Sequence, residues 1–428
     1  MHICVVGAGY IGAVMGAGLA ELGHKVAYVE LDKARVNAIN SGRAPVEEPG
    51  LAPLFEKHSG SRLTASTGLD HTLDTASVVF IAVNTPSRNS GAVDLRQVVA
   101  ASRAVGRGLR DVSSYPVVAV CSTVPPGTTE NRVRPLLERE SGKRAGVDFG
   151  LAMVPEFTAE GTALVNFTKP DRVIIGALDG HSMELLEALY APLGAPIIKT
   201  TPRTAEMAKY AANCLLSTRI SYANEIGGLC KRLGVDVYTV MDAVGLDRRL
   251  GRSFLNAGLG FGGPCLPKDL KALIHFAGEI AAPAPLLKAV QEVNRAQPHN
   301  ALDLLKKHLG ELQGKRVAVL GLAFKGGTSD IRGSRAIEVI GLLLAEGATV
   351  AAYDRDAREP MRAVYPQILY CNTAAEALSN ADGCMILSEA DEFKRLGHEF
   401  SSMRRPVVID GRHILARRDG IIYEGLHW

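Results

Sequence analysis

The stretch His2-Ile3-Cys4-Val5-Val6-Gly7-Ala8-Gly9-Tyr10-Ile11-Gly12 decides the fold. Five residues of strand character run into a G-x-G-x-x-G turn. A helical stretch then continues to Leu22, and residues 25–29 make another apolar strand that ends at Glu30. This is a β-α-β unit. The glycines allow a tight turn and let the backbone approach a pyrophosphate, whose charge meets free N–H groups and the positive end of the helix dipole. An acid about 20 residues on can accept hydrogen bonds from both ribose hydroxyls and repels a 2′-phosphate, so Glu30 predicts NAD rather than NADP. Gly7, Gly9, Tyr10, Ile11, Gly12 and Glu30 are therefore the expected cofactor site. Arg35 is either a surface cation or a contact to the adenosine end.

Outward from this unit, strand-like runs at 78–83, 117–120, 149–154 and 173–175 alternate with helical stretches. That alternation predicts a doubly wound, mostly parallel sheet. From 204 to about 233 the pattern becomes one long amphipathic helix, about 45 Å at 1.5 Å per residue. Helical sequence continues to about 300. Residues 315–320 and 349–353 then bracket a second β-α-β unit, with further strands at 383–387 and 407–409. The fold class expected is α/β: two Rossmann-like doubly wound α/β domains joined by a long central helix and a helical region, with boundaries at 1–200, 201–300 and 301–428. Gly321-Leu322-Ala323-Phe324-Lys325 has a single glycine at its turn, so the second unit is not expected to hold a dinucleotide.

A chain of 428 residues exceeds a single core and fits two or three domains. Its 47% apolar and 22% charged residues are those of ordinary globular proteins. The 48 basic and 45 acidic side chains are spread evenly, so no polybasic stripe points to nucleic acid or anionic lipid. Residues 3–20 lack the basic flank of a signal peptide, and Glu or Lys interrupts every other apolar run. A cytoplasmic protein without a membrane span is expected. The cysteine count of seven is odd, without a C-x-x-C pair, and no metal site is expected. Cys4, Cys121 and Cys384 lie in apolar strand-like runs and read as core thiols in a reducing compartment. Cys265 differs, because it stands in a Gly- and Pro-rich loop beside Lys268 and Asp269. Substrate access and a nearby cation to favour thiolate are what covalent catalysis needs.

That loop, Gly258-Leu259-Gly260-Phe261-Gly262-Gly263-Pro264-Cys265-Leu266-Pro267-Lys268-Asp269, resembles the active-site loop of the UDP-glucose/GDP-mannose dehydrogenase family. Further family signatures follow one another along nearly the whole chain. They are Glu48-Pro49-Gly50-Leu51, Val83-Asn84-Thr85-Pro86, Ser122-Thr123-Val124-Pro125, Pro155-Glu156-Phe157, Lys209-Tyr210-Ala211-Ala212-Asn213, Gly321-Leu322-Ala323-Phe324-Lys325 and Asp410-Gly411-Arg412. The resemblance implies an NAD-dependent four-electron oxidation of a nucleotide-sugar C6 alcohol to the carboxylate, through a thioester on Cys265. It implies Lys209 and Asn213 for the oxyanion, Asp269 and Thr123 for positioning water and the reacting hydroxyl, and Glu156 as base, with Glu160 beside it. It adds Val83, Thr85, Pro86, Ser122, Thr123, Glu160, Lys268 and Arg332 to the cofactor set. The UDP-sugar is implied to meet Glu156, Phe157, Thr158, Glu160, Lys209, Asn213, Arg249, Phe254, Asn256, Gly262, Cys265, Phe324, Lys325 and Arg412. Domain 1–200 would bind NAD, 201–300 would carry the cysteine loop and the dimerisation helix, and 301–428 would bind the nucleotide sugar, in at least a homodimer.

Taken singly, Lys209 and Asn213 would read as an ordinary helix face, Asp269 as a helix cap and the arginines as surface cations. The chain departs from the family pattern at Val154, where Asn is usual, Pro264 (Ser), Gly333 (Glu) and Ala390 (Trp). UDP-glucose is the first candidate substrate, GDP-mannose the second and a UDP-N-acetyl-hexosamine the third. Outside the family, a two-electron hydroxy-acid dehydrogenase would need neither Cys265 nor a second nucleotide-recognising domain.

Overall fold

Runs of Val, Ile and Ala too short for helices become strands buried on both faces, the pattern of a parallel sheet covered by helices. In the computed structural model, which describes residues 1–416 and 419–428, they build two sheets. The first contains β1 (His2–Val6), β2 (Lys25–Val29), β3 (Leu63–Ser66), β4 (Val78–Ile81), β5 (Val117–Val120), β6 (Gly150–Met153), β7 (Val173–Ala177) and β8 (Ile197–Thr200). Their order is β3-β2-β1-β4-β5-β6-β7-β8, parallel throughout except where β7 pairs antiparallel with β6. The second sheet, all parallel, is β11 (Leu369–Tyr370), β10 (Thr349–Tyr353), β9 (Arg316–Leu320), β12 (Gly383–Ile386), β13 (Val407–Asp410) and β14 (Ile422–Gly425), in that spatial order. Each sheet has apolar clusters on both faces.

The doubly wound α/β reading therefore holds twice. The strands missing from the sequence analysis, β3, β8, β11 and β14, are the four sheet edges. Edge strands are short and half-wet, so Leu-Thr-Ala-Ser or Ile-Tyr-Glu-Gly shows no continuous apolar run.

The chain forms two compact units, Met1–Ala211 and Ala212–Trp428, and the division falls inside the helix Pro202–Leu233. That helix has 32 residues, close to the length expected. The second unit also contains the helices Val237–Gly245, Leu266–Glu279 and Pro285–Leu309. Among the described residues, no helix is long and apolar enough to cross a membrane.

In each sheet the strand order reverses beside its first strand, between β1 and β4 and between β9 and β12. The crevice at the carboxyl ends of those strands is where open α/β sheets bind ligands.

Candidate functional site

Gly7, at the end of β1, has φ +102°, and a Cβ there would lie 2.7 Å from the Ala82 carbonyl oxygen. Gly12 is likewise required by close approach to the Gly7 carbonyl and Val5. Gly9 is different: a Cβ would meet only Asn84 Oδ1, at an ordinary 3.7 Å. The protein itself does not demand glycine there, whereas a ligand lying against that backbone would. The helix Tyr10–Glu21 begins with no side-chain cap, which leaves its first-turn N–H groups available to a pyrophosphate. Glu30 is aimed at the loop. Its Oε2 accepts the Ala8 N–H at 2.9 Å and its Oε1 accepts Asp32 N–H at 3.0 Å. Arg35 lies 3.6 Å from Glu30 and 3.8 Å from Asp32.

In the second sheet the corresponding acid, Asp354, takes both loop N–H groups, Leu322 at 2.7 Å and Ala323 at 3.1 Å. Two loop N–H groups are thus spent on the acid here, against one, that of Ala8, in the first sheet.

Ser122, at the end of β5, donates to the carbonyl of Val83 at 2.7 Å, binding the Val83–Pro86 and Ser122–Thr123 loops together at the cofactor edge of the sheet. Thr85 is buried there and Thr123 half-buried. Tyr10 donates to Glu48, whose carboxylate also accepts the N–H groups of Gly161 at 2.7 Å and Ala163 at 2.6 Å. Glu48 therefore fixes the loop that carries Glu156, Thr158 and Glu160 to the cofactor helix. The motif was visible in sequence, but this role was not. Glu206 was also missed. Wholly buried, it accepts the Thr129 N–H at 2.8 Å and the Gly127 N–H, pinning the segment after Thr123, and burial pushes its carboxyl up to about 7.

In the first unit Lys209 is 3% exposed, so it is no ordinary helix face. Its ammonium stands 3.4 Å from Glu156 and 5.1 Å from the ring centroid of Phe157, which Arg172 covers at 4.0 Å. Thr158 N–H donates to the other oxygen of Glu156 at 2.7 Å. A cavity of about 110 Å³ beside this group is lined by Ile11, Cys121, Val154, Glu156, Phe157 and Thr158 among others. Val154 thus gives that cavity an apolar wall.

In the second unit Cys265 is exposed and forms the N-cap of the helix Leu266–Glu279. Burial pushes the thiols of Cys4, Cys121 and Cys214 up to about 12, so these are inert core groups. Lys268 sits 2.5 Å from Asp269, and Asn213 donates to the other oxygen of Asp269 at 2.5 Å. Lys268 is therefore ion-paired with a carboxylate in the first turn of the helix that Cys265 caps. Asp269 lies in the first helical turn, 1% exposed, rather than at a cap near residue 270.

Residues 258–263 are held by four side chains, of which three, Asn224, Asn294 and Arg335, are buried and carry no local signal in the sequence. Asn224 accepts the Gly258 N–H at 2.7 Å. Asn294 binds both the N–H and the carbonyl of Phe261, at 2.8 and 3.1 Å. Arg335 reaches the Leu259 carbonyl at 3.3 Å and Arg412 the Gly260 carbonyl at 3.0 Å. Gly260 and Gly263 have φ +86° and +84°. The Gly333 departure is accounted for here. Its φ is +61°, and a Cβ would lie 2.8 Å from the Gly263 oxygen, so a side chain would push against the loop. Pro264 is half-buried beside Cys265; nothing in the structure explains Ala390.

These elements enclose a pocket of about 480 Å³ at the switch point of the second sheet. Phe254, Asn256, Gly262, Phe324, Lys325 and Arg412 all line it, six of the expected substrate residues. Arg412 is anchored by the Leu387 carbonyl at 3.0 Å as well as by Gly260. Arg249 and Arg332 are not among its lining. They are exposed and ion-paired at 2.6 Å with Asp247 and Asp330, respectively.

Comparison with known proteins bears on these two sites. The UDP-glucose/GDP-mannose dehydrogenase family matches in three parts: its NAD binding domain at residues 1–194, its central domain at 203–296 and its UDP binding domain at 318–417. The chain is 45% identical to the UDP-glucose 6-dehydrogenase AglM of Haloferax volcanii, covering 100% of both chains. It is 35% identical to a GDP-mannose 6-dehydrogenase of Pseudomonas syringae pv. syringae, again covering 100% of both. The solved UDP-glucose dehydrogenase of the archaeon Pyrobaculum islandicum superposes with a TM-score of 0.94 at 42% identity, over 100% of this chain and 97% of that one.

Proposed function

The chain belongs to the UDP-glucose/GDP-mannose dehydrogenase family, and from that membership we propose that it oxidises the C6 alcohol of UDP-glucose to the carboxylate of UDP-glucuronate. The observation that carries this reading is the pocket of about 480 Å³, which places Lys325 and Arg412 beside the glycine loop leading to an exposed Cys265. Its two cations suit a diphosphate, and its aromatic walls suit a base.

NAD supplies the hydride acceptor, two molecules per sugar. It would be held by Gly7, Gly9, Tyr10, Ile11 and Gly12, with Glu30 on the ribose and the Val83–Pro86 and Ser122–Thr123 loops alongside. The protein's own chemistry centres on sulfur. The Cys265 thiolate adds to the C6 aldehyde formed in the first oxidation, and the resulting hemithioacetal is oxidised to a thioester. Water then attacks the acyl carbon, releasing the carboxylate and the thiol. Lys209 and Asn213, four residues apart on one helix, are given the developing oxyanion. Glu156 is the base for hydrolysis, with Thr123 and Asp269 orienting water and hydroxyl.

A panel of UDP-glucose, GDP-mannose, UDP-N-acetylglucosamine and UDP-galactose, followed by nicotinamide absorbance, tests the substrate. UDP-glucose is expected to give the highest kcat/KM; a lead for any other sugar nucleotide would overturn the choice. A homodimer is part of the same proposal. Leu215, Tyr222 and Leu229 stand exposed at seven-residue spacing on the long helix, a seam a second copy could cover. Light scattering at monomer mass would remove it. The seven free cysteines suit a reducing compartment such as the cytoplasm.

Two further outcomes follow from the geometry. NAD should be preferred to NADP because Glu30 sets like charge against a 2′-phosphate. Glu30→Ala releases Arg35 from its ion pair and should narrow the kcat/KM gap by about 10-fold, the worth of one charge-assisted contact. Equal kcat/KM for both cofactors in the wild type would remove the role. Arg412→Ala should raise KM for the nucleotide sugar by about 10- to 100-fold with a smaller change in kcat, because the guanidinium grips ground and transition states alike. A loss confined to kcat would contradict this.

A further inference from the structure

Among the described residues four non-glycine side chains have positive φ, and two of them, Phe254 at +63° and His413 at +55°, line the pocket of the second unit. Backbone held in this region costs free energy and persists only where the surroundings enforce it. At His413 the enforcement is visible. The wholly buried Asp410 accepts the N–H groups of Arg412, Ile414 and Leu415 at 2.8, 2.8 and 2.9 Å, fixing the turn on both sides of the histidine.

The fixed turn lays the imidazole flat on Tyr238, with centroids 3.8 Å apart and planes 17° from parallel, and against the edge of Trp428 at 4.8 Å. The platform beneath is itself anchored. Tyr238 donates its hydroxyl to the Ala257 carbonyl at 2.7 Å, and Trp428 Nε1 donates to the Tyr423 hydroxyl at 2.9 Å. A base stacking on Tyr238 would need the space this imidazole already fills.

The pocket has a direction. Gly262 and Gly263 pack on Phe324 and lead directly to Cys265, whereas Tyr238 binds Ala257, eight residues before the cysteine. With the sugar carbon at Cys265 and the diphosphate at Lys325 and Arg412, the Tyr238–His413 end is left for the base.

We propose that His413 is a specificity-determining residue that limits the base to a single ring, by occupying the stacking slot on Tyr238 that the second ring of a purine would require. The inference rests on the reading of this pocket as a nucleotide-sugar site. Removing the imidazole opens that slot, and glycine or asparagine keeps the turn because both tolerate its φ.

The test compares UDP-glucose with GDP-glucose and ADP-glucose, the same sugar on three bases, in the wild type, His413→Gly and His413→Asn, with NAD saturating. Calorimetric binding of UDP and GDP to the same three proteins reports on the pocket without turnover. The wild type should prefer uridine, and in both variants that preference should fall by about 10-fold or more, through a gain in purine kcat/KM and GDP affinity. Uridine preference in the wild type with an unchanged ratio in both variants would overturn the role of His413 alone. A wild type that prefers a purine sugar would overturn the uridine reading itself.

Discussion

Cys265→Ser is expected to lower turnover by about three orders of magnitude or more, and to leave the variant stalled at or after the second oxidation. The wild type should release two NADH per sugar and no free aldehyde, because the sulfur holds C6 as a hemithioacetal until the second oxidation. Serine removes that retention. At neutral pH its alkoxide is scarce, and an ester, once formed, hydrolyses more slowly than a thioester. The structure makes the substitution clean, since Cys265 is exposed at a helix N-terminus and accepts no packing burden comparable with the buried cysteines. The measurement is the ratio of NADH to sugar consumed, with mass spectrometry of the protein for a trapped acyl adduct. A ratio of one, or undiminished turnover in Cys265→Ser, would eliminate the thioester and leave a two-electron alcohol dehydrogenase.

What could be read in advance was whatever is local in sequence. The first strand, glycine turn, helix and acid were legible because they follow one another within residues 2–30, and Gly7 and Gly12 each have a steric reason. The Cys265 loop was legible for the same reason. The side chains that make that loop rigid were not. Asn294 lies 33 residues from Phe261, and Arg335 lies 76 from Leu259, each a polar residue on the largely apolar buried face of its helix. Such a residue carries no local signal, because its partner is a backbone group and backbone groups are the same at every position. Glu48 and Glu206 were hidden in the same way: both are carboxylates spent on loop N–H groups, which sequence cannot distinguish from solvated ones. The pairing of Lys268 with the buried Asp269, which Asn213 also bonds, was hidden too, because a Lys-Asp step reads as two solvated charges.

That buried pair gives the second large expectation. Asp269 is 1% exposed, and both its oxygens are taken, one by Lys268 and one by Asn213, each at 2.5 Å. Asp269→Ala would strand a partly buried ammonium and the buried amide of Asn213 without their acceptor, and breaking such a pair from one side costs about 3–5 kcal/mol. Spread over a unit of this size, that is a fall of about 10 °C in the apparent melting temperature of the transition involving the second unit. Asp269→Asn separates charge from shape. It keeps the volume and one acceptor, so it should recover much of the stability, yet it removes the negative charge that holds Lys268 beside the cysteine loop. Activity should therefore stay at least about 100-fold below wild type while the melting temperature returns most of the way. If Asp269→Asn restores both, the carboxylate is only a structural anchor, and its place in orienting water and hydroxyl is lost. If Asp269→Ala melts like the wild type, the buried network contributes no stability.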